Sequence, residues 1–156
     1  MGHDAAECQR IIGELQEYMF TKTRLGIPAL TCVEGIQGVL QNGAPHSIAQ
    51  GSTFNPALIE RMTDACGREA AAMGLHQILS PVLDIARELR WGRIEETFGE
   101  DPYLIAEMGI GFVRGYQKHR ISCMPKHFVA HGTPTGGLNC AQVSGGEREL
   151  RNLYLY

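Results

Sequence analysis

Three short apolar runs, at residues 27–33, 75–85 and 121–130, recur roughly 45 residues apart with a helix-period segment between each pair, and that order leaves few folds open. Strands so far apart cannot pair through a tight hairpin; a helix crosses between them and they run parallel. The helical segments are well marked. Residues 5–20 put Cys8, Ile11, Ile12, Leu15 and Met19 at three-four spacing, an amphipathic stripe that must pack on something. Asn55-Pro56 reads as an N-cap with proline at the first helical position, followed by Leu58, Ile59, Met62, Ala65, Cys66, Ala70 and Met73 on one face and Gly74 as C-cap. Asp101-Pro102 repeats that start, before Leu104, Ile105, Met108, Phe112 and Tyr116. Ser144-Gly-Gly-Glu147 has capping-box spacing ahead of Leu150 and Leu153 and opens a last helix. The expectation is an α/β chain of about three βα units behind a leading helix, with residues 1–9 as tail and helix start.

In parallel βα folds the reactive groups collect past the carboxyl ends of the strands. Here Glu34 and Arg93 follow an apolar run, and the adjacent Lys126 and His127 are carried in the later part of the third, so one rim gathers them. Between residues 80 and 102 the second run opens into a stretch dense in charge around Trp91, the single tryptophan. One carboxylate, two cations, an imidazole and an indole suit a neutral, hydroxyl-rich ligand. Glu34 accepts hydroxyl protons, Arg93 and Lys126 donate to hydroxyl oxygens, and Trp91 offers an apolar face to a sugar ring. The competing reading is a set of solvated loop charges with Trp91 in the core.

Composition removes several other classes. A net charge of -3 with 20% charged and 44% apolar residues argues against nucleic-acid partners and against a disordered acidic tail. No apolar run approaches the roughly 18 residues of a membrane span, and the N-terminus lacks a signal peptide's basic-then-apolar order. A soluble chain of open compartment is expected. The five cysteines are scattered without a Cys-x-x-Cys pair, so reduced and buried thiols are expected rather than a zinc site or disulfide framework. His127 and His131 stand four apart, but in a strand-to-loop run without a zincin glutamate, so neither metal nor other cofactor is expected. Gly136-Gly137 and Ser144-Gly-Gly146 lack the Gly-Lys-Ser/Thr that phosphate cradling requires.

Arg24-Leu-Gly-Ile-Pro28, Ser80-Pro-Val-Leu-Asp84, Arg90-Trp-Gly-Arg93, Glu96, Phe98-Gly-Glu-Asp-Pro102, Lys126-His-Phe128, His131-Gly132 and Gly146-Glu-Arg-Glu-Leu150 together resemble glycoside hydrolase family 3, in its bacterial β-glucosidase and β-xylosidase branch. The resemblance runs from about residue 10 to the end, in the number, order and spacing of the motifs. It implies that residues 10–156 are the N-terminal portion of a (β/α)8 TIM-type barrel, the first domain of a larger enzyme. It also implies that Glu34, Arg93, Lys126 and His127 hold sugar hydroxyls in the subsite of cleavage. Glu96 would orient the loop, with Trp91 and Asp84 supporting from behind. The substrate implied is a β-linked glucoside or xyloside, and glutamate at position 34 points to the xyloside side. Three departures bear on the first substrate loop: Gln37 in place of histidine, Glu88-Leu89 in place of Asp-Pro, and a short stretch at 43–48.

Retaining glycosidases need two carboxyl groups roughly 5 Å apart, a nucleophile and an acid/base. The resemblance puts both on later segments, so none of these 156 residues is expected to be catalytic and the chain alone is expected to be inactive. A full barrel takes about 250 residues, and an open sheet with two unpaired edges is expected to self-associate. The reading from a different class is a non-catalytic carbohydrate-binding or interaction module that keeps the sugar cleft without the chemistry.

Overall fold

Each apolar run contains a proline, Pro28, Pro81 or Pro125, and a proline has no N–H to donate to a ladder. In the computed structural model, which describes residues 4–39 and 43–155, the paired strands are correspondingly short: β1 Cys32–Val33, β2 Gln77–Ile78 and β3 Ser122–Cys123. They form one parallel sheet in the order β1-β2-β3, with Val33 opposite Ile78 and Ile78 opposite Cys123. The α/β expectation holds, but the runs at 27–33, 75–85 and 121–130 are paired over only a small part of their length. Past the ladder, Val82 bridges singly to Thr97 and to Lys126, which keeps the loops after β2 and β3 side by side.

The helices follow their capping signals. The first, α1 (Ala5–Lys22), starts on Asp4, whose carboxylate accepts from the Glu7 N–H at 2.7 Å. Next comes α2 (Ser47–Gly51), a five-residue turn in the stretch 39–53 that shows no period in sequence; Leu40 to Asn42 of that stretch lie outside the described residues, as do the first three residues of the tail and Tyr156. Asn55 caps α3 (Pro56–Ala72) and Asp101 caps α4 (Pro102–Gln117), each accepting from an N–H three residues on, at 3.0 and 2.7 Å. Gly74 follows α3 with φ +80°, the left-handed conformation of a C-cap.

Two helical expectations need correction. Of the α1 stripe, Cys8 and Ile12 pack against the core, whereas Ile11 and Leu15 stay more than 40% exposed. The last helix, α5 (Glu147–Glu149), runs straight into a wider π turn at Leu150–Tyr154, and its N-cap is Gly146 with no side-chain cap. No capping box forms because the helix starts at Glu147, which leaves Ser144 two residues ahead of the N-cap; the Glu147 carboxylate instead accepts from Arg151 at 2.9 and 2.8 Å.

The core lies between the sheet and the α3–α4 pair, and it holds Ile59, Cys66, Ala70, Ile78, Ile105, Met108, Phe112 and Tyr116. The two helices touch closely at Gly115, where a Cβ would lie 2.0 Å from Thr63 Oγ1 and 2.5 Å from the Glu60 carbonyl oxygen. Of the cysteines only Cys66 is buried; Cys8 and Cys123 are half-buried, while Cys32 and Cys140 are exposed, so the expectation of buried thiols fails for most of them. Burial raises Cys123 to about 11 and raises Cys66 as well, which disfavours the thiolate at both. Among the described residues no helix is long and apolar enough to cross a membrane.

Candidate sugar-binding site

The first side chain of the site is set by a turn. After β1 the chain turns at Gly35, φ +66°, where a Cβ would meet Ile78 Cγ2 at 2.2 Å. Glycine alone lets the turn lie this close to β2. Tyr116 of α4 donates its buried hydroxyl to the Gly35 carbonyl at 3.0 Å, and burial pushes the phenol up, so it stays a donor. Between these two contacts Glu34 is held over the sheet end.

Glu34 meets Lys126 there in a direct Oε1 to Nζ ion pair. The two side chains differ in exposure, 53% for Glu34 and 12% for Lys126, so the carboxylate faces solvent and the ammonium sits below it. Lys126 is positioned by the bridge to Val82, with its N–H donating to the Pro81 carbonyl at 2.9 Å.

Arg93 approaches from the loop after β2. Its Nε and Nη2 donate to Glu96 Oε1 and Oε2 at 2.8 and 2.6 Å, a two-pronged pairing across one turn of 3-10 helix, Ile94–Glu96. Those bonds raise Arg93 above its ordinary value and hold the Glu96 carboxyl below the usual carboxylate range. Glu96 is therefore ionised, and it orients Arg93. Earlier in the same loop, Glu88 folds onto Arg90 through three hydrogen bonds, which lower its carboxyl to about 2.

Together these groups line an open cleft of about 470 Å³ that includes Glu34, Gln37, Arg93, Glu96 and Lys126. His127 is not on that lining. Its Nδ1 pairs with Asp84 Oδ2 at 2.6 Å, and its backbone N–H reaches the same oxygen at 3.3 Å. Asp84 is 3% exposed, with Oδ1 unpartnered. Trp91, 2% exposed, donates its indole N–H to Asn139 Oδ1 at 3.0 Å and meets the His131 ring edge-on. The idea that Trp91 presents a face to a sugar ring is therefore corrected: it is a buried floor beneath Arg93, whose guanidinium carbon lies 5.7 Å from the ring centre.

The sequence reading missed two lining residues, His46 and Glu95. Glu95 sits in the charged block beside Glu96, a signal that was available. His46 reaches the cleft from the residue before α2, and nothing in its sequence neighbourhood marks it. Asn139 and His131 also go unassigned, although His131-Gly132 is one of the motif matches.

The family described as "Glycosyl hydrolase family 3 N terminal domain" matches residues 3–156. A putative beta-xylosidase of Formosa agariphila is 34% identical over 94% of this chain and 21% of its own. A periplasmic beta-glucosidase of Salmonella typhimurium is 31% identical over 92% of this chain and 20% of its own. The crystal structure of a beta-glucosidase from Listeria innocua in complex with glucose superposes with TM-score 0.85 and 34% identity over 97% of this chain and 22% of that one. The chain thus spans about a fifth of the length of the relatives it matches.

Proposed function

Since the chain belongs to glycosyl hydrolase family 3, we propose that it supplies the sugar-gripping part of a retaining, exo-acting β-glycosidase acting on a glucoside or xyloside. The observation that carries this is the convergence of Glu34, Arg93 and Lys126 on one cleft from the ends of three separate chain segments. A ring hydroxyl between Glu34 and Lys126 donates to the carboxylate and accepts from the ammonium, replacing a direct ion pair with a bridged one. Arg93, fixed by Glu96, donates to a neighbouring hydroxyl. His127, fixed by Asp84, directs its other ring nitrogen away from that carboxylate, and its hydroxyl contact requires the ligand to reach behind the lining residues.

None of these groups is given a bond-breaking role. A general acid needs a raised carboxyl, whereas Glu96 is lowered and Glu34 is paired with a cation. We assign nucleophile and acid/base to no residue of this chain, and residues 10–156 to the first part of a TIM-type barrel. The homology to beta-xylosidases and beta-glucosidases and the parallel sheet support that reading.

The expected result for this chain is saturable glucose or xylose binding without turnover of nitrophenyl glucoside or xyloside. Turnover abolished by Glu34→Ala would contradict the division of roles, and absence of binding to either sugar would contradict the site.

A further inference from the structure

Arg93 has five N–H groups, and Glu96 engages two of them along one edge. That pairing alone leaves the guanidinium free to swing together with the Glu96 side chain, since both are about a quarter exposed. A third contact stops the swing: Nη1 lies 3.4 Å from His131 Nε2. Arginine cannot accept, so Nε2 must carry the lone pair and Nδ1 the proton. Packing holds the ring in place, with Trp91 edge-on at 5.2 Å and His127 tilted against it at 4.5 Å between ring centres.

We propose that His131 is a positioning residue for Arg93: as the neutral Nδ1–H tautomer it accepts from Nη1 and, with Glu96, aims the two remaining N–H groups at the cleft. The inference deepens the sugar-binding reading and rests on it for its consequence, while the contact itself is a separate claim. The groups facing His131 are Arg93, His127 and Asp84, together with the non-titrating Trp91 and Asn139. Burial, with the His127 imidazole beside it, lowers His131 from its ordinary value, so it is neutral at pH 7. Protonation at Nε2 would turn the acceptor into a donor facing a donor and add charge beside Arg93. Sugar affinity therefore falls as pH drops through the lowered His131 value.

The test uses the full chain. Long-range proton–nitrogen NMR of the His131 ring is expected to show the Nδ1–H tautomer, and the Arg93 Nη resonances to show slow guanidinium rotation. His131→Phe keeps a ring against Trp91 but removes the acceptor; Arg93 rotation is expected to quicken and glucose or xylose affinity at pH 7 to fall about tenfold. His131→Gln restores an acceptor without titrating, and is expected to keep wild-type affinity at pH 7 and lose the acid-side decline. An Nε2–H tautomer in the wild type, or Arg93 rotation unchanged in His131→Phe, overturns the proposal. If His131→Phe does not fold, the wild-type tautomer and the His131→Gln pH profile decide. A chain showing the expected tautomer and slow rotation but binding neither sugar supports the His131 contact and sinks the sugar reading.

Discussion

Glu96 couples the cleft to pH through a carboxylate held below its ordinary range by Arg93. A group depressed on folding adds stability that is fully present above its unfolded value, about 4.3 for glutamate, and is lost as pH falls through the folded value. The stability gap between wild type and Glu96→Gln is therefore expected to be widest near neutrality and to close on the acid side, measured by denaturant unfolding at several pH values. A gap independent of pH would mean that the pair does not form in solution. Glu34, Arg93 and Lys126 were legible in the sequence as cleft candidates because Glu34 and Arg93 follow an apolar run and Lys126 sits late in one, toward the strand ends where parallel folds gather such groups. Trp91 was legible as part of the loop and, in the competing reading, as core, and its 2% exposure bears out the second. Its burial depends on Asn139 and His131, which lie in the segment after β3 and approach only once that segment is folded back.

Among the elements, the helices were readable from local chemistry, since Asn55-Pro56 and Asp101-Pro102 state their own starts. Strand extent was less so: apolar content marks a buried run, while the prolines within it decide how much can pair. The link from α4 to the site, Tyr116 to the Gly35 carbonyl, joins residues 81 apart, and no local pattern reveals it. Tyr116→Phe leaves that buried carbonyl without its donor and is expected to cost about 1–3 kcal/mol. It should also weaken sugar binding, because the turn carrying Glu34 loses its support; unfolding and binding measured on the same variant test both. Gly115→Ala forces a Cβ into Thr63 and the α3 backbone and is expected to cost about 1–3 kcal/mol by overpacking. It should leave the pairing of Arg93 with Glu96 intact.

At the scale of the molecule, β1 and β3 are the sheet's outer strands among the described residues, and Leu25, Ile27, Leu30 and Phe128 are exposed. Unpaired strand edges beside exposed apolar side chains favour association. Elution of the isolated chain is expected to shift to larger size with concentration in size-exclusion chromatography. A monomer peak unchanged across a wide concentration range would contradict that expectation. If the cleft between Glu34, Arg93 and Lys126 takes a sugar, amide NMR of the chain titrated with glucose and with xylose will report it. Saturable shifts are expected, confined to the turn after β1, residues 91–97 and residues 124–132, and lost in Arg93→Ala while the remaining spectrum is kept. Shifts elsewhere, or equal shifts in Arg93→Ala, would contradict sugar binding in the cleft.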